Sequence, residues 1–176
     1  VVFGLGFQKS FHMENTNYSG FFFPGILGLV VLFSSIYATL TLVEDKKCGF
    51  FRLVMVGPAG VKGALIGKVL ATFTLGFCQS LIFLPLCFFL PLKHDFKTIV
   101  FALVFLIMGS FCFSLIGVLF AWVSPSSAAF HALMSVILIP MWLLSGAMFP
   151  LPEGFFSGLS YINPMAYLVS GLRMAF

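Results

Sequence analysis

Four stretches of this chain contain no Asp, Glu, Lys or Arg, and each is long enough to cross a bilayer as a helix. They are Phe22 to Val43, Val69 to Leu92, Thr98 to Val123 and Ala129 to Phe149, of 22, 24, 26 and 21 residues. At 1.5 Å per residue, about 20 residues cross the roughly 30 Å of hydrocarbon. Their apolarity is continuous, not alternating, which predicts helices instead of barrel strands. The composition agrees. Only 8% of the 176 residues are charged, against about 25% in soluble domains. With 61% hydrophobic residues, 25 Phe and a mean hydropathy of +1.15, too little polar surface exists to cover a globule. A soluble enzyme, a nucleic-acid binder and a disordered chain are thereby excluded. The expected class is an all-α integral membrane protein, a helical bundle forming a single domain over residues 1–176.

Two further apolar segments flank these runs. Val1 to Phe7 reads as the tail of an earlier helix, and Asn163 to Phe176 as the start of a later one. Asn163 suits an N-cap and Pro164 a first helical turn. Six spans are therefore expected in the intact subunit, with the first (1–7) and the last (164–176) only partly present. Five of the nine basic residues, Lys46, Lys47, Arg52, Lys62 and Lys68, lie in the connection between the first two full spans. The positive-inside rule makes that connection cytoplasmic. Alternation then places Gln8 to Gly20, Lys93 to Lys97 and Pro150 to Ile162 outside, and Ser124 to Ala128 inside.

The cytoplasmic connection is the most informative segment. Gly49 and Pro58 bracket FFRLVMVG, too short to span, in which Phe50, Leu53 and Val54 lie at helical spacing. Two readings remain open: a short helix along the membrane surface that docks a partner, or a solvated loop.

Motifs for chemistry are absent. GALIGK has one residue too few between Gly63 and Gly67 for a phosphate loop, and Val69 follows Lys68. Gly63, Gly67 and Ala71 read instead as a small-residue face for close helix packing. There is no HExxH, and Leu143 stands where a rhomboid-type GxSG motif around Ser145 needs glycine. His131 reads as a packed or interfacial residue. Cys48, Cys78, Cys87 and Cys112 form no CxxC pair, and three of them sit in apolar runs. No metal site, no cofactor and no catalytic residue is expected. The four full spans carry no carboxylate to accompany a cation, which favours an energy source on another chain.

Polar residues inside the spans are few. Ser35 and Thr39 are small; Gln79 is not, and its amide must face protein or a cavity. Interhelical hydrogen bonding and contact with a transported molecule both remain open for it. Pro85 and Pro140 are expected to kink their helices, and Lys68 to snorkel towards headgroups. After the fourth full span, Pro150 and Pro152 break the helix, and an apolar stretch including Phe155 and Phe156 is too short to cross. A re-entrant or interfacial segment is expected over 150–162, with Tyr161 and Tyr167 near headgroup level.

With these residues in order, the chain resembles the permease subunits of type-2 ABC exporters. Phe22, Phe23, Pro24 and Gly25 are similar to the family's PG opening of its second span. Glu44, Asp45, Gly49, Phe50, Phe51, Arg52, Leu53 and Pro58 are similar to its cytoplasmic coupling segment, here 44–63. Ser145, Gly146, Phe149, Pro150 and Pro152, followed by Asn163, Pro164, Tyr167 and Arg173, resemble its SG-x-x-FP-x-P and NP-x-x-Y…R patterns. Phe50 and Phe51 stand where the family often has threonine and an acidic residue. The resemblance implies a multi-pass cell-membrane protein with two permease halves and two cytoplasmic ABC ATPases. ATP and Mg would be bound by the ATPases and not by this chain. The coupling segment would dock the ATPase, and Phe155 to Tyr161 would form an outer re-entrant gate. Gln79, Ser35, Thr39 and Arg173 are the polar residues that could line a pathway or join helices. Arg173 is awkward, because a helix descending from an outer Pro164 would bury it about 14 Å deep. The uncharged, aromatic spans suit an amphipathic, lipid-like, drug-like or glycan-type substrate. Membrane lipid is a further expected partner; nucleic acid is not. A non-transporting scaffold or assembly factor accounts for the spans equally well but gives no reason for a coupling-like segment.

Overall fold

In hydrocarbon a backbone donor has no water to fall back on, so charge-free runs fold as helices that close their own hydrogen bonds. The computed structural model describes residues 18–50, 53–54, 57, 60–89, 95–147 and 162–176, and among these all regular structure is helical. We number the helices α1 (Tyr18–Tyr37), α2 (Leu40–Lys47), α3 (Gly60–Phe83), α4 (Phe96–Val123), α5 (Ser127–Leu143) and α6 (Pro164–Ala175). Three apolar units are long enough to cross a membrane: Phe21–Lys47, Gly60–Phe89 and Phe96–Val123, of 27, 30 and 28 residues. The fourth expected span, α5, is a shorter apolar helix of 17 residues. The expected partial span at 1–7 and the expected re-entrant segment over 150–162, all but Ile162, lie outside the described residues.

Each boundary has a local cause. The first span is not one helix: the Thr39 hydroxyl donates to the Ile36 carbonyl at 2.6 Å, and the Thr39 and Leu42 amides donate three residues back. That competition breaks α1 from α2 for a single turn. α2 stops at Gly49, whose φ of 71° lies in the left-handed region that glycine enters at no steric cost. α3 begins nine residues before the expected Val69, at Gly60, because nothing from Lys62 to Lys68 opposes a helix. At the other end Pro85 has no amide to donate, and the α-helix tightens into a 3₁₀ turn over Leu84–Phe89. α5 starts where the Ser126 hydroxyl accepts from the Ala129 amide at 3.1 Å. It ends three residues past Pro140, where Ser145 turns back on the Trp142 carbonyl and Gly146 adopts a φ of 70°.

α4 is the central helix, packed against all five others. Its buried stripe runs through Thr98, Ala102, Leu106, Ser110, Ser114, Gly117 and Ala121, while Phe101, Met108, Leu115 and Leu119 face outwards. Glycines set the closest approaches. A methyl built on Gly117 would lie 2.8 Å from Thr39 Cγ2 and 3.1 Å from Ile36 Cα. One on Gly25 would lie 2.5 Å from the Ala147 carbonyl oxygen. By contrast, Gly67 has nothing within 4 Å, so the small-residue face expected to pack there is uncovered among the described residues.

The packing register also gives α6 a direction. Gly28 meets Met165 and Val169, whereas Phe21 lies against Arg173 and Phe23 against Phe176. On α4, Gly109 meets Leu168 and Phe105 meets Gly171. Higher numbers on α6 pair with lower numbers on α1 and α4, so α6 is antiparallel to both. A span entering from the expected outer face would run parallel to them. α6 instead starts near the middle of α4 and runs towards the starts of α1 and α4.

These contacts predict opposite outcomes for two glycine substitutions. Gly25→Ala must push a backbone carbonyl aside and should cost about 1–3 kcal/mol. Gly67→Ala meets empty space on an exposed helix and should be stabilising by about 0.5–1 kcal/mol. Thermal unfolding of the full-length protein in detergent checks both signs.

Candidate functional site

Most of the charge on the described spans converges on one short helix. Along α2, Asp45, Lys46 and Lys47 each reach a different neighbour. The Asp45 carboxylate pairs with Lys68 of α3 at 2.5 Å, both side chains being a third exposed or less. The Lys46 ammonium donates to three carbonyls at the end of α4: Trp122 at 2.5 Å, Ser124 at 3.2 Å and Ala121 at 3.3 Å. It also lies 5.6 Å from the Trp122 ring centre. The last carbonyls of a helix have no intrahelical partner and carry the negative end of its dipole, so a cation there is doubly favoured. Lys47 donates to the Ser127 hydroxyl at 3.4 Å, at the start of α5. α2 therefore ties the ninth residue of α3 to the end of α4 and the start of α5.

This arrangement separates the residues expected to couple to a partner. Glu44 is exposed on α2, and Leu53 is 75% exposed. Asp45 is engaged within the chain, and Lys68 is paired with it instead of reaching freely for headgroups. Beside that ion pair lies a pocket of about 250 Å³ lined by Leu42, Asp45, Phe50, Ala64, Gly67 and Lys68. Phe51, Arg52 and Pro58 lie outside the described residues. Sequence reasoning used Lys46 and Lys47 only to orient the chain. Their roles depend on the distant ends of α4 and α5, which no local motif announces.

The far end of the bundle has its own clamp. Asn163 caps α6 by accepting from the Met165 amide at 3.0 Å, and its amide nitrogen donates to the Met141 carbonyl of α5 at 2.5 Å. Ten residues later, Arg173 donates to the carbonyls of Gly146 at 2.6 Å and Ala147 at 3.4 Å. Its guanidinium also stacks 3.8 Å from the Phe21 ring centre. Arg173 thus bonds the SG and NP…R fragments, far apart in sequence, while Asn163 bonds to α5 just before the SG pair. The expected difficulty with Arg173 came from assuming that α6 descends. Because α6 runs the other way, Arg173 lies at the level of Phe21 and not deep in the bundle. Tyr167 is exposed on α6. Phe149, Pro150, Pro152, Phe155 and Phe156 lie outside the described residues.

Of the remaining polar candidates, Thr39 and Ser35 are fully buried, Thr39 bonded to its own helix and the Ser35 hydroxyl without a partner among the described residues. Gln79 is exposed and lines a cleft of about 680 Å³ between α1 and α3. No group of three or more His, Cys, Asp or Glu is placed to hold a metal among the described residues.

A bundle of long apolar helices, tied at one end by charges and at the other by a capped helix, defines a multi-pass membrane protein. Comparison with known proteins supplies the family. The model for the ABC-2 type transporter matches residues 1–176, and the chain belongs to that family. It is similar to a protein of Cyanophora paradoxa named "Putative transport permease ycf38", 26% identical over 183 residues. The match covers all of this chain and 63% of that relative, so the chain spans less than two thirds of its length. No solved structure matches the chain.

The charge convergence on α2 predicts unequal costs for two adjacent lysines. Lys46→Met removes charged hydrogen bonds from one exposed and two part-buried carbonyls and should cost about 1–2 kcal/mol. Lys47→Met loses one long, exposed contact and should fall within about 0.5 kcal/mol of the wild type. Unfolding midpoints of the two variants in detergent check the difference.

Proposed function

We propose that this chain is most of one permease half of an ATP-driven exporter. The observation that carries the reading is the position of α2. It has exposed Glu44 on its surface, opens the expected ATPase-docking segment, and is bonded to three other helices, inside α3, at the end of α4 and at the start of α5. A push on this helix by a closing ATPase reaches α3, α4 and α5 at once. Segment 44–63 is the docking element on this reading, with Gly49 setting where α2 ends and Arg52, Leu53 and Pro58 in the contact. ATP binding draws two such elements together and switches the spans between an inward-facing and an outward-facing or laterally open path. The chain performs no covalent chemistry; ATP and Mg belong to the ATPase.

At the far end, segment 150–162 enters the membrane part way and α6 returns as its outward arm, which agrees with the antiparallel register. Arg173 and Asn163 then fix the gate to the end of α5. The substrate is amphipathic, because α1, α3, α4 and α5 offer aromatic and aliphatic surface and carry no carboxylate. The second half of the transporter is another permease, identical or paired.

Purification of the full-length protein from detergent tests the docking element. The wild type should retain an ABC ATPase, and Gly49→Pro or Arg52→Glu should lose it while the permease stays folded. Absence of any associated ATPase under mild conditions contradicts the exporter reading and leaves a membrane scaffold.

A further inference from the structure

Gln79 is the polar side chain that the coupling and gating roles leave unused. Most hydroxyls on the spans around it return to their own helix: Ser34 to Val30 at 2.6 Å, Thr72 to Lys68 at 3.0 Å and Ser80 to Phe77 at 2.7 Å. Ser35, Ser110 and Ser114 have no partner among the described residues but are sealed against neighbouring helices. Gln79 does neither. Its carboxamide is exposed and makes no hydrogen bond among the described residues, so the interhelical bond left open by the sequence is not formed.

Its depth makes this costly. Gln79 lies eleven residues past Lys68, whose pairing with Asp45 sits at the basic end of the bundle. Eleven residues of helix rise about 16 Å, roughly half the hydrocarbon thickness. The same level is reached from α1, where Ser35 abuts Gly76, one turn from Gln79. An unpartnered carboxamide in hydrocarbon carries a large desolvation penalty. Annular lipid offers only methylene groups at this depth and cannot remove it.

The surroundings fit a ligand. The cleft of about 680 Å³ falls within the common range for small-molecule sites, roughly 300–1,000 Å³. Leu29, Phe33 and Tyr37 form its α1 wall; Leu75, Gln79 and Phe83 form its α3 wall. Phe33 and Tyr37 are stacked with ring centres 5.6 Å apart, and Tyr37 is braced by His131 at 5.8 Å. The result is a largely apolar cleft with the Gln79 carboxamide in its α3 wall, facing an α1 wall whose polar groups are the Tyr37 hydroxyl and the Ser34 hydroxyl already bonded to Val30.

The geometry points to a binding site in the α1–α3 cleft for an amphipathic molecule that carries a hydrogen-bonding group, such as an amide or hydroxyl, flanked by apolar parts. Gln79 is its polar anchor, and the stacked Phe33–Tyr37 pair its wall. This rests on the transport reading in one respect: a polar group held halfway across the membrane belongs to a molecule in transit.

Photolabelling of the full-length permease in phosphatidylcholine nanodiscs, without ATPase or ATP, tests it. Two probes are compared: a dodecyl diazirine with an amide in mid-chain, and the hydrocarbon of equal length. The amide probe should label the 29–38 and 75–83 peptides about three- to tenfold more than the hydrocarbon, the ratio expected of one net hydrogen bond. Gln79→Leu should abolish that preference without lowering the unfolding midpoint, and Leu75→Trp should reduce labelling by both probes. Labelling of the outward face of α4 around Met108 should not change. Equal labelling by the two probes, unaffected by Gln79→Leu, means ordinary lipid fills the cleft and overturns the proposal. Labelling by neither means another helix covers it, which overturns it equally. Because no ATPase is present, these outcomes are independent of ATPase docking.

Discussion

Helices in a bilayer gain nothing from hiding apolar surface, since lipid is as apolar as they are; they associate only where backbones come close or polar groups bond. That constraint organises this protein. Gly117 and Gly76 let α4 and α3 approach α1, Gly109 and Gly171 seat α6 on α4, and Gly25 brings α1 against the turn after α5. At the basic end the same problem is solved with charge. Lys46 fills the vacant acceptors at the end of α4, and Asp45 and Lys47 reach α3 and α5. The first device fixes spacing, and the second fixes which helices are tied together at that end.

Both ends of the bundle are tied by side chains that donate to backbone carbonyls near helix ends. The basic end depends on one eight-residue helix, whose Lys46 reads the carbonyls at the end of α4 while Asp45 pairs with Lys68 inside α3. The far end depends on Asn163 reading the Met141 carbonyl and Arg173 that of Gly146. These hold α6 at fixed register to the end of α5.

Much of the fold was legible in the sequence, because charge-free length alone identifies a membrane helix. The cap at Asn163 was read from local chemistry, whereas the cap at Ser126 and the glycine stop at Gly146 were supplied by the structure. The boundaries of α3 and the break at Thr39 were less legible, since glycine and threonine are tolerated within helices and only packing decides. The direction of α6 was hidden for a different reason: alternation of loops assumes that every apolar segment crosses, and a 12-residue helix need not. For the candidate site, the sequence identified the segment around Gly49 and singled out Gln79. It missed the inward role of Lys46, because the acceptors that hold Lys46 lie 75 or more residues away.

On the proposed function, α2 and the α4–α5 turn move as one body under the ATPase. Pulsed electron-spin distances between labels at Glu44→Cys and Ala128→Cys, with the four native cysteines replaced, measure this in the reconstituted transporter. The account predicts the same distance in the nucleotide-free and ATP-trapped states, while Lys46→Met broadens it. A change of about one helical turn, 5.4 Å, between the two states in the otherwise wild-type chain would mean that α2 slides over the turn, and would contradict the account.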